Sequence, residues 1–120
     1  FVDVTNASVA ITPASSSNKI LVIATADSFQ PLVASVNQAY TQRLIRTVGG
    51  TDTILNTRNL SAQSGAGGLQ VFASTAFSEL DSPSTTSEVT YKIEHKVTNS
   101  GSSGQAGSSG NYIIVMEIQG

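Results

Sequence analysis

With 120 residues, a net charge of −2 and no cysteine, the chain can bury one sizeable core but not two, and it can form neither disulfides nor thiolate metal sites. It also lacks the basic footprint that draws a protein onto a phosphate backbone, so no nucleic-acid partner is expected. Charged residues are only 12% while serine and threonine fill roughly a quarter of the positions, a balance that favours strands and turns over solvated helices.

In chain order, Phe1 to Thr5 and Ser8 to Thr12 alternate Val2, Val4, Val9 and Ile11 with polar neighbours, and Pro13 with Ser15, Ser16 and Ser17 stops the ladder. Lys19 to Ala26 is nearly continuous in apolar residues and reads as a strand covered on both faces. Its apolar core, Ile20 to Ala24, is too short to cross a bilayer, so no membrane insertion is expected. Gln38 to Val48, Gly49-Gly50 and Thr51 to Asn56 predict a hairpin, because paired glycines supply the positive φ angles of a tight turn. Leu69 to Ser78 alternates again. Val89 to Val97 places Val89, Tyr91, Ile93, His95 and Val97 on one face and Thr90, Lys92, Glu94 and Lys96 on the other. Tyr112 to Ile118, apolar on both faces except at Glu117, is expected to be a central strand. Short strands separated by turns, with no helical period between them, predict an all-β, jelly-roll-like sandwich of about eight antiparallel strands in a single domain spanning 1–120. Ser61 to Gly68, Ser82 to Ser87 and the Gly/Ser-rich Thr98 to Gly110 are expected to be exposed loops.

No pattern carries catalytic chemistry. His95, the single histidine, lies mid-strand on an apolar face and is expected to be a core or subunit-interface residue, with no serine elbow to serve. Asp27, Asp52, Glu79 and Asp81 lack the spacing of a calcium loop and are read as solvated surface carboxylates. Gly65, Gly67 and Gly68 lack the lysine and spacing of a phosphate cradle. Arg43 and Arg46, near the glycine turn, are read as salt-bridge partners on a strand face or between subunits, with Arg58 beyond. No enzyme activity, cofactor or metal is expected. Function is instead expected in loops, with Ser61, Gln63 and Gly65 in one and Asn99, Ser102, Gln105 and Ser108 in another as candidate binding residues.

The order of elements is itself informative: Phe1-Val2-Asp3-Val4-Thr5, Val9-Ala10-Ile11-Thr12-Pro13, Ser17-Asn18-Lys19-Ile20-Leu21-Val22, Leu80-Asp81-Ser82-Pro83-Ser84-Thr85-Thr86-Ser87, Val89-Thr90-Tyr91-Lys92, and a closing Met116-Glu117-Ile118. This series resembles a family of bacteriophage virion domains found at the ends of tail-fibre and other particle-surface proteins. The resemblance implies a trimeric jelly-roll head, similar in shape to tumour necrosis factor and the complement globular head. The chain would be the C-terminal part of a longer one, made in the host cytoplasm and placed on the virion surface. Its partners would be two further copies, other virion proteins and a host surface glycan or protein. Decoration or cementing of the capsid is the alternative role. In that frame Asp81, Ser82 and Pro83 form a structural turn reversing one strand into the next. A homotrimer is also expected from the residues, since Ile20 to Ala24 and Tyr112 to Ile118 hold more apolar strand surface than one thin sandwich hides.

Overall fold

The computed structural model describes the backbone of residues 1–31, 37–63, 70–97, 105–106 and 110–120, and the side chains of 1–27, 39–61, 72–97 and 110–120. Among these residues there is no helix. The strands are β1 (Val2–Ile11), β2 (Lys19–Pro31), β3 (Asn37–Val48), β4 (Thr51–Gln63), β5 (Gln70–Asp81), β6 (Val89–Val97), the two-residue β7 (Gln105–Ala106) and β8 (Tyr112–Ile118). Seven long antiparallel strands form two sheets packed as a sandwich, one ordered β1-β6-β3-β4 and the other β5-β2-β8, with β7 joining the second sheet on the same flank of β2 as β8.

The pairing is nested. β1 pairs with β6, β2 with β5 and β3 with β4, so the first six strands form one long hairpin folded across itself, and β8 then adds to the free flank of β2. The centre of that hairpin is the Gly49-Gly50 turn. Val48 pairs with Thr51 across it, and φ angles of 56° and 80° at the two glycines are those of the mirror-image turn that suits strand twist. The predicted hairpin is therefore present, with its second arm running on to Gln63.

Alternation sends Ile20, Val22, Ala24 and Ala26 of β2 and Phe77 of β5 against Leu44 of β3 and Val89, Tyr91 and Ile93 of β6. Each large side chain fully buried in this layer contributes about 1.5–3 kcal/mol from removal of apolar area from water. The two predicted opening segments are a single strand with an irregularity: Asp3 pairs with Glu94 and Ser8 with Lys92, leaving Val4 to Ala7 opposite Ile93. Asn6 takes a φ of 61°, and the detour tucks both Val4 and Ala7 into the core.

Two expectations need correction. β8 is an edge strand and not a central one; its two apolar faces differ, with Ile113 and Val115 turned to the core and Tyr112, Ile114, Met116 and Ile118 exposed. β2 is central in its sheet but is not covered on both faces as expected, since Ile23 on its outer side is 40% exposed. Asp81 is the buried last residue of β5, and Ser82 and Pro83 open the connection that leads from β5 in one sheet to β6 in the other.

Candidate functional site

Several strand ends converge at one end of the sandwich. β2 ends where β3 begins, β4 where β5 begins and β6 where β8 approaches, so the three connections lying between residues 31 and 37, 63 and 70, and 97 and 110 all leave from that end. Ser61 and Gln63 belong to β4 itself, and Gln105 belongs to β7, where it pairs with Phe29. A strand therefore forms inside the stretch expected to be loop. Gly65, Asn99, Ser102 and Ser108 lie outside the described residues. The opposite end is closed by residues 12–18, the glycine turn and residues 82–88.

Polar side chains tie the sheets together at intervals. Arg46 of β3 donates from Nη1 to Asp81 Oδ1 at 2.8 Å, and the Tyr91 hydroxyl of β6 donates to Asp81 Oδ2, also at 2.8 Å. The carboxylate of one sheet is thus held by two donors from the other. Burial, with the nearby Asp81 charge, pushes the Tyr91 hydroxyl far above its ordinary range. Asp81 and Arg46 accordingly form an internal clamp, which corrects the solvated-surface reading of Asp81. Arg43, on the outer side of β3, instead stacks over the Phe1 ring at 3.6 Å from its centroid. Along one sandwich edge, Asn56 of β4 donates to Glu79 of β5. On the other, Asn111 donates to the Thr5 carbonyl at 3.2 Å and its Oδ1 accepts from the Asp27 amide at 2.9 Å. Glu117 accepts from the Ala14 amide and the Asn18 side chain, both at 2.7 Å; the Asn18 bond and then the Ala14 bond hold its carboxyl below the usual range.

Beneath the end that bears the three connections the core turns polar. Tyr40 and Gln42 are fully buried, Gln42 donates to the Tyr40 hydroxyl at 3.4 Å, and that hydroxyl lies 2.8 Å from His95 Nδ1. Which of the hydroxyl and Nδ1 donates follows the histidine tautomer. Burial pushes the tyrosine up to about 12, offset in part by the Gln42 bond, and burial lowers the histidine below its ordinary value, helped by the charge of the N-terminus. His95 is half-buried, with its ring edge-on to Tyr40. The network ties β3 to β6 through side chains at that end of the core. Among the described residues no three His, Asp or Glu side chains gather where they could hold a metal ion.

The surplus apolar strand surface expected of Ile20 to Ala24 and Tyr112 to Ile118 gathers on one outer face. The outer side of the β5-β2-β8 sheet has three cross-strand rows: Met116, Leu21 and Leu80; then Ile114, Ile23 and Ser78; then Tyr112, Thr25 and Ala76. Met116, Ile114, Leu80, Tyr112 and Ile23 are each 40–57% exposed, and Ile118 extends the patch beside Lys19. The charged side chains on this face of β2 are Lys19 at one end and Asp27 at the other, and neither makes an ion pair among the described residues. A contiguous apolar area of this kind marks a contact surface more often than a solvated one. Its sequence signal was the absence of any polar alternation in Tyr112 to Met116. Comparison with protein-family models, with curated proteins and with solved structures finds no match for this chain.

Proposed function

We propose that this chain is a non-enzymatic, self-associating head module from the outer surface of a bacteriophage particle, of tail-fibre type, which presents one loop-bearing end to a host-surface glycan or protein. The observation that carries this reading is the nested pairing of β1 with β6, β2 with β5 and β3 with β4. That is how a jelly roll wraps, and it occurs in a chain whose Leu80 to Ser87 block and Met116-Glu117-Ile118 ending resemble phage particle-surface domains. The tied sandwich supplies a rigid base and the three connections leave from one end of it, a division of labour common where recognition is carried by loops. The resemblance expects three copies in the head.

The apolar outer face of the β5-β2-β8 sheet gives a second reading some support: a capsid decoration or cement that seats through this face and recognises no host. One experiment separates the two. Antibody against the domain is applied to particles of the virus that encodes it, followed by electron microscopy and an adsorption assay. Labelled tail tips with blocked adsorption are expected for the head module. Labelled capsids with unchanged adsorption support the decoration reading, and unlabelled particles overturn both.

A further inference from the structure

We infer that the outer face of the β5-β2-β8 sheet binds the same face of a second copy across a two-fold axis perpendicular to the strands, so that Lys19 of each copy meets Asp27 of the other. The inference rests on self-association in the proposed function and gives it a surface, a register and a two-fold symmetry in place of the three copies that the resemblance implies.

The argument begins from position. On the outer side of β2, Lys19 and Asp27 lie four residues to either side of Ile23, and Ile23 sits in the middle row of the apolar patch. A two-fold axis running through that row, in the plane between two stacked sheets, reverses the strand direction and leaves each strand over its own copy. The Lys19 level then faces the Asp27 level twice, giving two opposite-charge contacts at the rims of a charge-free centre.

The same operation also matches volumes. The row of Met116, Leu21 and Leu80 faces the partner's row of Tyr112, Thr25 and Ala76, so Leu80 lies over Ala76 and Leu21 over Thr25. Ile118 comes to the level of Gly110, which lies against Asp27; a side chain at Gly110 would collide with Asp27, so this end of the face stays low. Large groups thus meet small ones at these positions, while Met116 faces Tyr112 and, on the axis row, Ile114 and Ile23 each meet their own copies. Copies related by an axis parallel to the strands would instead set Lys19 level with Lys19 and Asp27 level with Asp27 on the central strand, which juxtaposes like charges.

Size sets the expected strength. Eight residues by three strands is a footprint of about 27 by 14 Å, below the roughly 800 Å² per partner of a standard stable interface. The pair therefore forms in the micromolar range rather than the nanomolar one.

Sedimentation equilibrium of the chain from about 1 to 300 µM, a range chosen for an interface this small, tests the inference. The expected result is a monomer–dimer equilibrium that Ile114→Lys abolishes. Lys19→Glu and Asp27→Lys should each weaken it about five- to thirty-fold, from two reversed rim contacts. The decisive arm mixes those two variants. In the proposed register the two substituted positions face each other across one rim, as an opposite-charge pair of reversed sense, while the unchanged Asp27 of one copy meets the unchanged Lys19 of the other across the second rim. The mixture should therefore return to within about three-fold of the parent. Circular dichroism melts check that each variant folds; should Asp27→Lys disturb the neighbouring Gly110, Asp27→Asn replaces it and should weaken pairing by about two- to five-fold. A trimeric mass, a parent that stays monomeric throughout, or a mixture no stronger than its parts overturns the inference. Particle labelling with unpaired domains would remove the pairing and keep the virion reading; pairing with unlabelled particles would do the reverse.

Discussion

The two sheets share one core and face outward in opposite chemical styles. On the outer side of the β1-β6-β3-β4 sheet Lys92 reaches Asp3 and Asp52 at 3.3 Å and Glu94 at 3.0 Å. Ile45, cross-strand partner of Lys92 on that same side, is only 2% exposed. The outer side of the β5-β2-β8 sheet leaves Ile23, Ile114, Met116 and Leu80 open. Long charged side chains can cover an apolar neighbour with their stems while keeping the head in water. The first sheet has such side chains beside Ile45, and the other has Ser74, Ala76 and Ser78, which are too short to cover anything. Ile45 is therefore covered and supports folding, although its cross-strand partner Ile54 stays 53% exposed, whereas the second sheet opens a row of several apolar side chains for contact.

The link between the sheets is where the comparison breaks most easily. Asp81→Ala leaves Arg46 facing Tyr91 without the carboxylate they share, and removing one partner of a buried pair costs about 3 kcal/mol, the low end of the range because the Arg46 side chain is partly exposed. A fall in Tm of about 10 °C is expected. Tyr91→Phe, which removes one hydrogen bond to the carboxylate and leaves the ion pair, should cost only about 1 kcal/mol. Equal losses from the two would show that Arg46 contributes nothing to the clamp. The next largest effect tests the outer faces directly. Ile45→Ala should cost about 2–3 kcal/mol, since its site is closed, whereas Ile23→Ala should cost under about 1 kcal/mol in the monomer. Urea titration below the pairing concentration measures both, and a similar cost at the two sites would erase the distinction between the sheets.

How much of this the sequence discloses depends on whether a residue's neighbours are local. Period-two alternation located Val89 to Val97 and the Gly49-Gly50 hairpin, because a strand face and a two-residue turn are decided within a few positions. The same reasoning misplaced Tyr112 to Ile118. An apolar run looks alike whether both sides are covered by protein or one side awaits a partner, and only sheet order distinguishes them. Asp81 looked like a turn residue because Ser82 and Pro83 follow it, while its donors come from positions 46 and 91. Nothing near Asp81 in the chain announces them. The same holds for the facing of Lys19 and Asp27 about Ile23, which becomes visible once β2 is known to lie between β5 and β8.

Acid separates the polar interior from the charged exterior with a smaller effect. Burial depresses the folded-state pKa of His95, so as pH falls below about 6.5 the unfolded chain takes up a proton that the folded chain resists. Stability present above that pH is therefore lost as pH falls toward the folded value. Asp52 and Glu117 are also lowered, by the hydrogen bonds they accept, and their contribution is lost in the lower carboxylate range. Denaturant midpoints from pH 7.5 down to 5 should fall for the parent and flatten for His95→Gln, with both falling together further into acid. A slope between pH 7 and 5.5 unchanged by the substitution would remove the histidine from the account.

The smallest effect concerns Lys92, and it distinguishes its charge from its stem. The three carboxylates raise its pKa, with the Glu94 bond the largest cause, but Asp3 and Asp52 are open to solvent and water screens their attraction. Lys92→Met keeps the stem beside Ile45 and removes the charge, so the expected loss is under about 1 kcal/mol and shrinks further in about 0.5 M salt. Lys92→Ala removes the stem as well. It should cost about 1 kcal/mol more than Lys92→Met, and that increment should not respond to salt because it comes from uncovering apolar surface. If Lys92→Met and Lys92→Ala are equally destabilising and equally salt-dependent, the cover over Ile45 lies elsewhere. The contrast between the two outer faces would then reduce to charge alone.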